Sequence, residues 1–163
     1  NLSRLLDAYR AAGLPVVFIL HTDGDDGFQP WSPHFRPMDF LRRREGEPLL
    51  VKTTRNAFTS TNLRERLEAL GVRRLVVTGI TTEQCCETTT RFANDVYGYD
   101  VDFVTEATLT FPILDDDGDI VLSTEEIARR TEHVLRGRFA AIATVDEVLR
   151  ELEASGVAAS AGG

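Results

Sequence analysis

Cysteine and clustered positive charge are both scarce in this chain, and each scarcity removes a class of protein. The only two cysteines, Cys85 and Cys86, are adjacent, so a disulfide framework is excluded, and such usage fits a reducing compartment, with the cytoplasm as the expected location. Eighteen basic residues face 26 acidic ones, a formal charge of −8, and they cluster only at Arg42-Arg43-Arg44. No broad basic surface is available to neutralise phosphates, which argues against nucleic acid as a partner, and the arginine triplet reads as a solvated face. No apolar run approaches the roughly 18 residues that a membrane helix needs. The opening Asn1-Leu2-Ser3-Arg4-Leu5-Leu6 lacks the positive segment and apolar stretch of a secretory signal.

What is present suits an ordinary water-soluble globular domain: 42% of the 163 residues are apolar and 27% charged, enough chain to bury a core without disulfides or a structural metal. Leu2, Leu5, Leu6 and Tyr9 share one helical face, ended by Gly13 and Pro15. Residues 16–20 are apolar throughout and predict a parallel strand closing on His21-Thr22-Asp23. A long loop from Gly24 to about Glu47 carries Phe28, Trp31, Phe35 and Phe40, and loops of that length are usually functional. Residues 49–52 form a second short strand. Thr61 or Asn62 starts a helix with Leu63, Leu67 and Leu70 on one face, stopped by Gly71.

Strand 75–78, a helix from about 82 to 97 and strand 101–104 follow, then a solvated turn through Asp115-Asp116-Asp117-Gly118-Asp119. An EF-hand loop aligned on Gly118 would start at Ile113 and end at Thr124, neither a carboxylate, so calcium is not expected there. Ser123 with Glu126 makes a capping box for a helix to Leu135, residues 139–143 form a last strand, and Thr144 with Glu147 caps a final helix. One domain over residues 1–154 is expected, with an unstructured tail at 155–163.

Strands alternating with helices predict an α/β fold with a mostly parallel sheet, whose ligands gather beyond the carboxyl ends of the strands. His21, Asp23, Lys52 and Cys85 all lie at or just after such ends. Cys85 stands out, because a thiol in the first turn of a helix faces unpaired N–H groups and the positive end of the helix dipole, the setting of a nucleophile. An ammonium directly after Leu49-Leu50-Val51 is at least partly buried and needs a partner, for which a thiolate or a carboxylate would serve. Cys86 shares its helical face with Thr90, Ala93 and Tyr97, a packing face, although Cys85 shares a partly apolar one with Phe92 and Val96.

Two segments carry a more specific signal. Lys52-Thr53-Thr54-Arg55-Asn56-Ala57-Phe58, continuing to Thr61-Asn62-Leu63, and Thr78-Gly79-Ile80-Thr81-Thr82-Glu83-Gln84-Cys85-Cys86-Glu87 resemble the isochorismatase-like cysteine hydrolases. The likeness extends through Gly98-Tyr99, Glu106-Ala107 and Glu147-Val148-Leu149, nearly the whole chain. It implies a three-layer α/β/α fold with six strands and an Asp, Lys, Cys triad in which Lys52 and Cys85 are two members. It also implies a cis Ile80–Thr81 peptide, with the N–H groups of Thr81 and Cys85 forming an oxyanion hole. The implied activity is hydrolysis of a small amide or related C–N bond through a thioester, without a cofactor, by a homo-oligomer, dimer or tetramer, acting on a small-molecule substrate.

The chain departs from the family pattern at its start, where the strand ending in the triad aspartate is missing. The expectation is that this strand and its aspartate lie upstream of Asn1, with Asp23 the one carboxylate placed to substitute. Nicotinamidases of the superfamily add a metal site built on Asp-x-His; His21-Thr22-Asp23 reverses that order and His34 has no matching partner, so no metal is expected. Trp31, Phe35 and Phe58 are candidates for the substrate pocket, although loop aromatics as often pin a loop to the core. Alternatives of other kinds are a vinyl-ether hydrolase, a redox sensor using the Cys85-Cys86 pair, and a non-catalytic binding protein.

Overall fold

The computed structural model describes residues 1–24 and 26–155. It separates into two compact units, one formed by residues 1–66 with the C-terminal stretch from Val145, the other by residues 67–144. Of the 155–163 tail, only Ser155 is described, its N–H bonded to the Glu151 carbonyl; the remainder lies outside the described residues.

In the first unit, helix α1 (Leu2–Ala11) buries Leu5 and ends in a Schellman turn, with the Leu14 N–H reaching back to the Tyr9 carbonyl. Strand β1 (Phe18–His21) pairs in parallel with β2 (Leu49–Lys52), and the register sets His21 opposite Lys52 at the carboxyl ends of both strands. The strand begins at Phe18 rather than Val16, since pairing to β2 starts there. The long loop between them contains two short 3-10 turns, Asp26–Phe28 and Asp39–Leu41. Its end is fastened to α1 by Arg10, whose buried guanidinium donates to Glu47 through Nε at 2.6 Å and Nη2 at 2.9 Å and to the Leu41 carbonyl at 3.1 Å. This pair holds the Glu47 carboxyl below its ordinary range and Arg10 above its own. Arg42, Arg43 and Arg44 are exposed.

Helix α2 (Leu63–Ala69) starts where the Thr61 hydroxyl accepts the Leu63 N–H at 3.1 Å, and it buries Leu63 and Leu67. Leu70, expected on the same face, is 55% exposed. The helix stops one residue before it, and the turn at Gly71 (φ 66°) carries the chain off the helical path.

In the second unit β3 (Arg74–Ile80), β4 (Asp100–Leu109) and β7 (Ala141–Ile142) form a parallel sheet with β4 central. Phe103 and Val104 are fully buried in it, and the buried Asp102 takes Arg74 in a bidentate pair, 2.5 Å from Nε and 2.9 Å from Nη2. Helices α3 (Glu87–Asp95) and α4 (Thr124–Leu135) belong to this unit, the second begun by the capping box of Ser123 and Glu126. Between β4 and α4, where the sequence predicts a solvated turn, runs an antiparallel hairpin, β5 (Ile113–Leu114) and β6 (Ile120–Leu122). Its strands are too short to show an alternating pattern, and Asp115 closes the turn by accepting the N–H groups of Asp117 and Asp119. Helix α5 (Val145–Ala154) returns to the first unit, where Asp146 pairs with Arg4 at 2.7 Å. Among the described residues every strand pairing is parallel except the hairpin, which gives the α/β, mostly parallel class expected.

Candidate active site

Cys85 follows the carboxyl end of β3. The Ile80–Thr81 peptide there is cis, and Gly79 just before it has φ 127°, a conformation that only glycine adopts without strain. The sequence reading expected one α-helix from about 82 to 97. Instead residues Thr82–Cys86 wind as a π-helix, with the Cys86 N–H bonded to the Thr81 carbonyl at 3.1 Å and the Glu87 N–H to Thr82, before α3 continues to Asp95. Such wider turns are rare and recur at functional sites. Here the turn gives two adjacent cysteines different surroundings: Cys86 is 4% exposed, on the face that also buries Thr90 and Ala93, while Cys85 is half-buried. Neither is in a disulfide.

The π turn is held from several directions. The Thr82 hydroxyl lies 2.8 Å from the Thr108 hydroxyl, and Thr108 donates to the Thr105 carbonyl at 2.8 Å, so Thr82 must be the donor into Thr108. Thr108 stands there because β4 bulges against β3, with residues 104–107 accommodated between the pairs Val77–Phe103 and Gly79–Thr108. Glu83 accepts from the Thr110 hydroxyl at 2.6 Å.

The residue after the cysteines is one that the sequence reading missed. Glu87 has a buried carboxylate whose Oε1 accepts Arg91 Nε at 3.0 Å and Nη2 at 2.9 Å, while Oε2 accepts Arg130 and the Thr131 hydroxyl. Its backbone closes the π turn and its side chain ties α3 to α4. The Arg91 guanidinium also stacks 4.5 Å from the centroid of the Phe139 ring. The signal available in the sequence was an acid in the first helical turn with an arginine four residues on.

The first unit gathers a different set. Lys52 is 4% exposed, and its Nζ donates to the Thr54 carbonyl at 2.9 Å and lies 3.1 Å from His21 Nδ1. His21 Nε2 is 3.2 Å from Asp23 Oδ2, and Arg55, a residue not singled out from sequence, contacts the same ring nitrogen and approaches Asp23 at 3.7 Å. Phe28 meets the imidazole edge-on, ring centroids 6.2 Å apart. Burial, then the charges of Lys52 and Arg55, hold His21 below its ordinary range against the opposing pull of Asp23. The segment after Lys52 folds on itself: the buried Asn56 accepts the Phe58 N–H at 3.1 Å and donates to Thr59 at 2.6 Å.

Of the aromatic candidates for a substrate pocket, Trp31 is 70% exposed, Phe35 half-buried and Phe58 buried. His34 is exposed. Among the described residues no group of three or more His, Cys, Asp or Glu side chains is placed to hold a metal ion, and no helix is long and apolar enough to cross a membrane.

Comparison with known proteins gives this arrangement a lineage. The model of the isochorismatase domain matches residues 1–147. Nicotinamidase 3 of Arabidopsis thaliana is 36% identical over 93% of this chain and 78% of its own length. Ureidoacrylate amidohydrolase RutB of Rhizobium rhizogenes is 30% identical over 57% of this chain and 50% of its own. The crystal structure of an isochorismatase-family protein from Chromobacterium violaceum superposes with a TM-score of 0.85 at 29% identity, covering 93% of this chain and 79% of that one.

Proposed function

The chain belongs to the isochorismatase family of hydrolases, and from that premise we propose that it is a cysteine hydrolase cleaving a small amide or related C–N bond through a thioester on Cys85. The observation that carries this reading is the setting of Cys85: a half-buried side chain outside any disulfide, in a π-wound turn directly after the cis peptide at the end of β3, beside the buried Cys86. Two relatives named for amide-type substrates support the bond class.

In the proposed reaction the Cys85 thiol gives its proton to a base, and the sulfur attacks the amide carbonyl carbon. A C–S bond forms as the carbonyl π electrons move onto oxygen, and the Thr81 and Cys85 amides hold that oxyanion. Collapse of the adduct breaks the C–N bond, the amine leaves with the proton, and water then cleaves the thioester to release the acid and restore the thiol. The likeness of the segment 52–63 to the family makes Lys52 the candidate cation of this machinery.

The test is amine release from nicotinamide and a panel of small primary amides by wild type and Cys85→Ala. Turnover is expected with at least one amide and is expected to vanish in the variant; undiminished turnover in Cys85→Ala would remove the covalent mechanism.

A further inference from the structure

Lys52 and His21 raise a question of proton placement that the proposed reaction leaves unanswered. An ammonium has only donors, so its 3.1 Å contact with His21 Nδ1 requires that nitrogen to be bare. The ring proton then sits on Nε2, where Asp23 Oδ2 accepts it at 3.2 Å. The other neutral tautomer would give Arg55 an acceptor at Nε2, but it would set an N–H against the buried ammonium and leave the carboxylate without that donor. Arg55 is half exposed and has Asp23 within 3.7 Å, so it can turn to other acceptors, whereas Lys52 is held inside. Lys52, His21 and Asp23 thus form one directed chain of donors.

We propose that His21 is a positioning residue for Lys52: its neutral imidazole fixes the direction of the ammonium, and a second ring proton breaks that arrangement. Among the described residues the charged groups around the ring are Lys52 on β2, Arg55 in the segment after it and Asp23 in the loop after β1. Lys52 and Arg55 both oppose a second ring proton and Asp23 favours it, in keeping with the lowered affinity of His21 for a proton. The consequence for function rests on the reading of Lys52 as part of the hydrolase machinery. Activity should fall in acid as His21 takes up its second proton.

The direct test is long-range 1H–15N NMR of the histidine rings in the whole chain, with His21 assigned from the His21→Gln spectrum. The expected result is an Nε2–H ring with a bare Nδ1, titrating below ordinary histidine, whose midpoint rises in Lys52→Met. A wild-type ring protonated at Nδ1 at neutral pH overturns the proposal without any variant having to fold, and so does a midpoint that Lys52→Met leaves in place.

The second arm follows kcat/KM against pH on whichever amide shows Cys85-dependent turnover. His21→Ala should lose at least tenfold, within the roughly 10²-fold that misplacing a group by about 1 Å can cost. His21→Gln, which keeps an acceptor for Lys52, should recover most of that loss and lack the acid limb of the wild type. Equal activity in His21→Ala and wild type, or an unchanged acid limb in His21→Gln, rejects the positioning role. Because Cys85→Ala reports on the hydrolase reading and the NMR spectrum on the chain of donors, failure of one is not mistaken for failure of the other.

Discussion

Lys52 and Glu87 are both buried charges next to a sequence motif, one in each unit, yet their surroundings differ in kind. Glu87 has two bonds on each carboxylate oxygen, from two arginines and a threonine hydroxyl. That closed arrangement fixes a helix. Lys52 hydrogen-bonds to a carbonyl and to an imidazole that can itself gain a proton, and a second cation, Arg55, stands on the far side of that ring. The first cluster is complete as built; the second can be altered by one proton. A saturated buried charge suits a structural device, and a buried charge facing a titratable partner is where a chemical role is sought first.

Substitutions that separate activity from stability can break this comparison. Lys52→Met keeps the apolar stem and removes the charge; kcat/KM is expected to fall by about 10²–10³, typical of losing electrostatic stabilisation of developing charge, while urea unfolding shows a loss of at most about 1–2 kcal/mol, from the Thr54 carbonyl and His21 Nδ1 left without that donor. A large drop in stability with activity retained would reverse the assignment. Glu87→Ala should do the opposite first, lowering unfolding stability by about 1–3 kcal/mol because two arginines lose their carboxylate while Arg130 can still reach solvent.

A smaller effect is expected at Thr82→Val, which removes the hydroxyl that donates to Thr108 but leaves Thr108 its own bond to Thr105: about 0.5–1.5 kcal/mol by the same unfolding measurement. The smallest is a pH dependence of stability. His21 binds its proton less readily in the folded protein than in the unfolded chain, so the unfolded state holds more protons as pH falls from about 6.5 towards the folded midpoint. Stability should decline through that window in wild type and decline less in His21→Gln, measured by urea unfolding at a series of pH values.

The strand ends that carry His21, Lys52 and Cys85 were legible in the sequence because continuous apolar runs mark parallel strands and the residues after them mark their carboxyl ends. The inward face of Cys86 was legible through the family likeness alone, since helical spacing gives Cys85 a partly apolar face with Phe92 and Val96 as well. The π turn was not legible: a turn one residue wider leaves no mark in a periodicity taken over a whole helix. The hairpin was missed because two- and three-residue strands offer no alternation to detect. Arg55 and Glu87 escaped for a common reason. Each gains its meaning from a residue distant in the chain, Arg55 from Asp23 and His21, and Glu87 from Arg130 and Thr131, and local pattern carries no information about such pairings.

The covalent role of Cys85 is tested most directly by rapid acid quenching during amide turnover, followed by mass spectrometry of the peptide containing Cys85 and Cys86. The account predicts an acyl group on Cys85 alone, formed at a rate that supports turnover and removed by hydroxylamine. An acyl group on Cys86 or on another residue, or turnover that proceeds while Cys85 is blocked by alkylation, would contradict it.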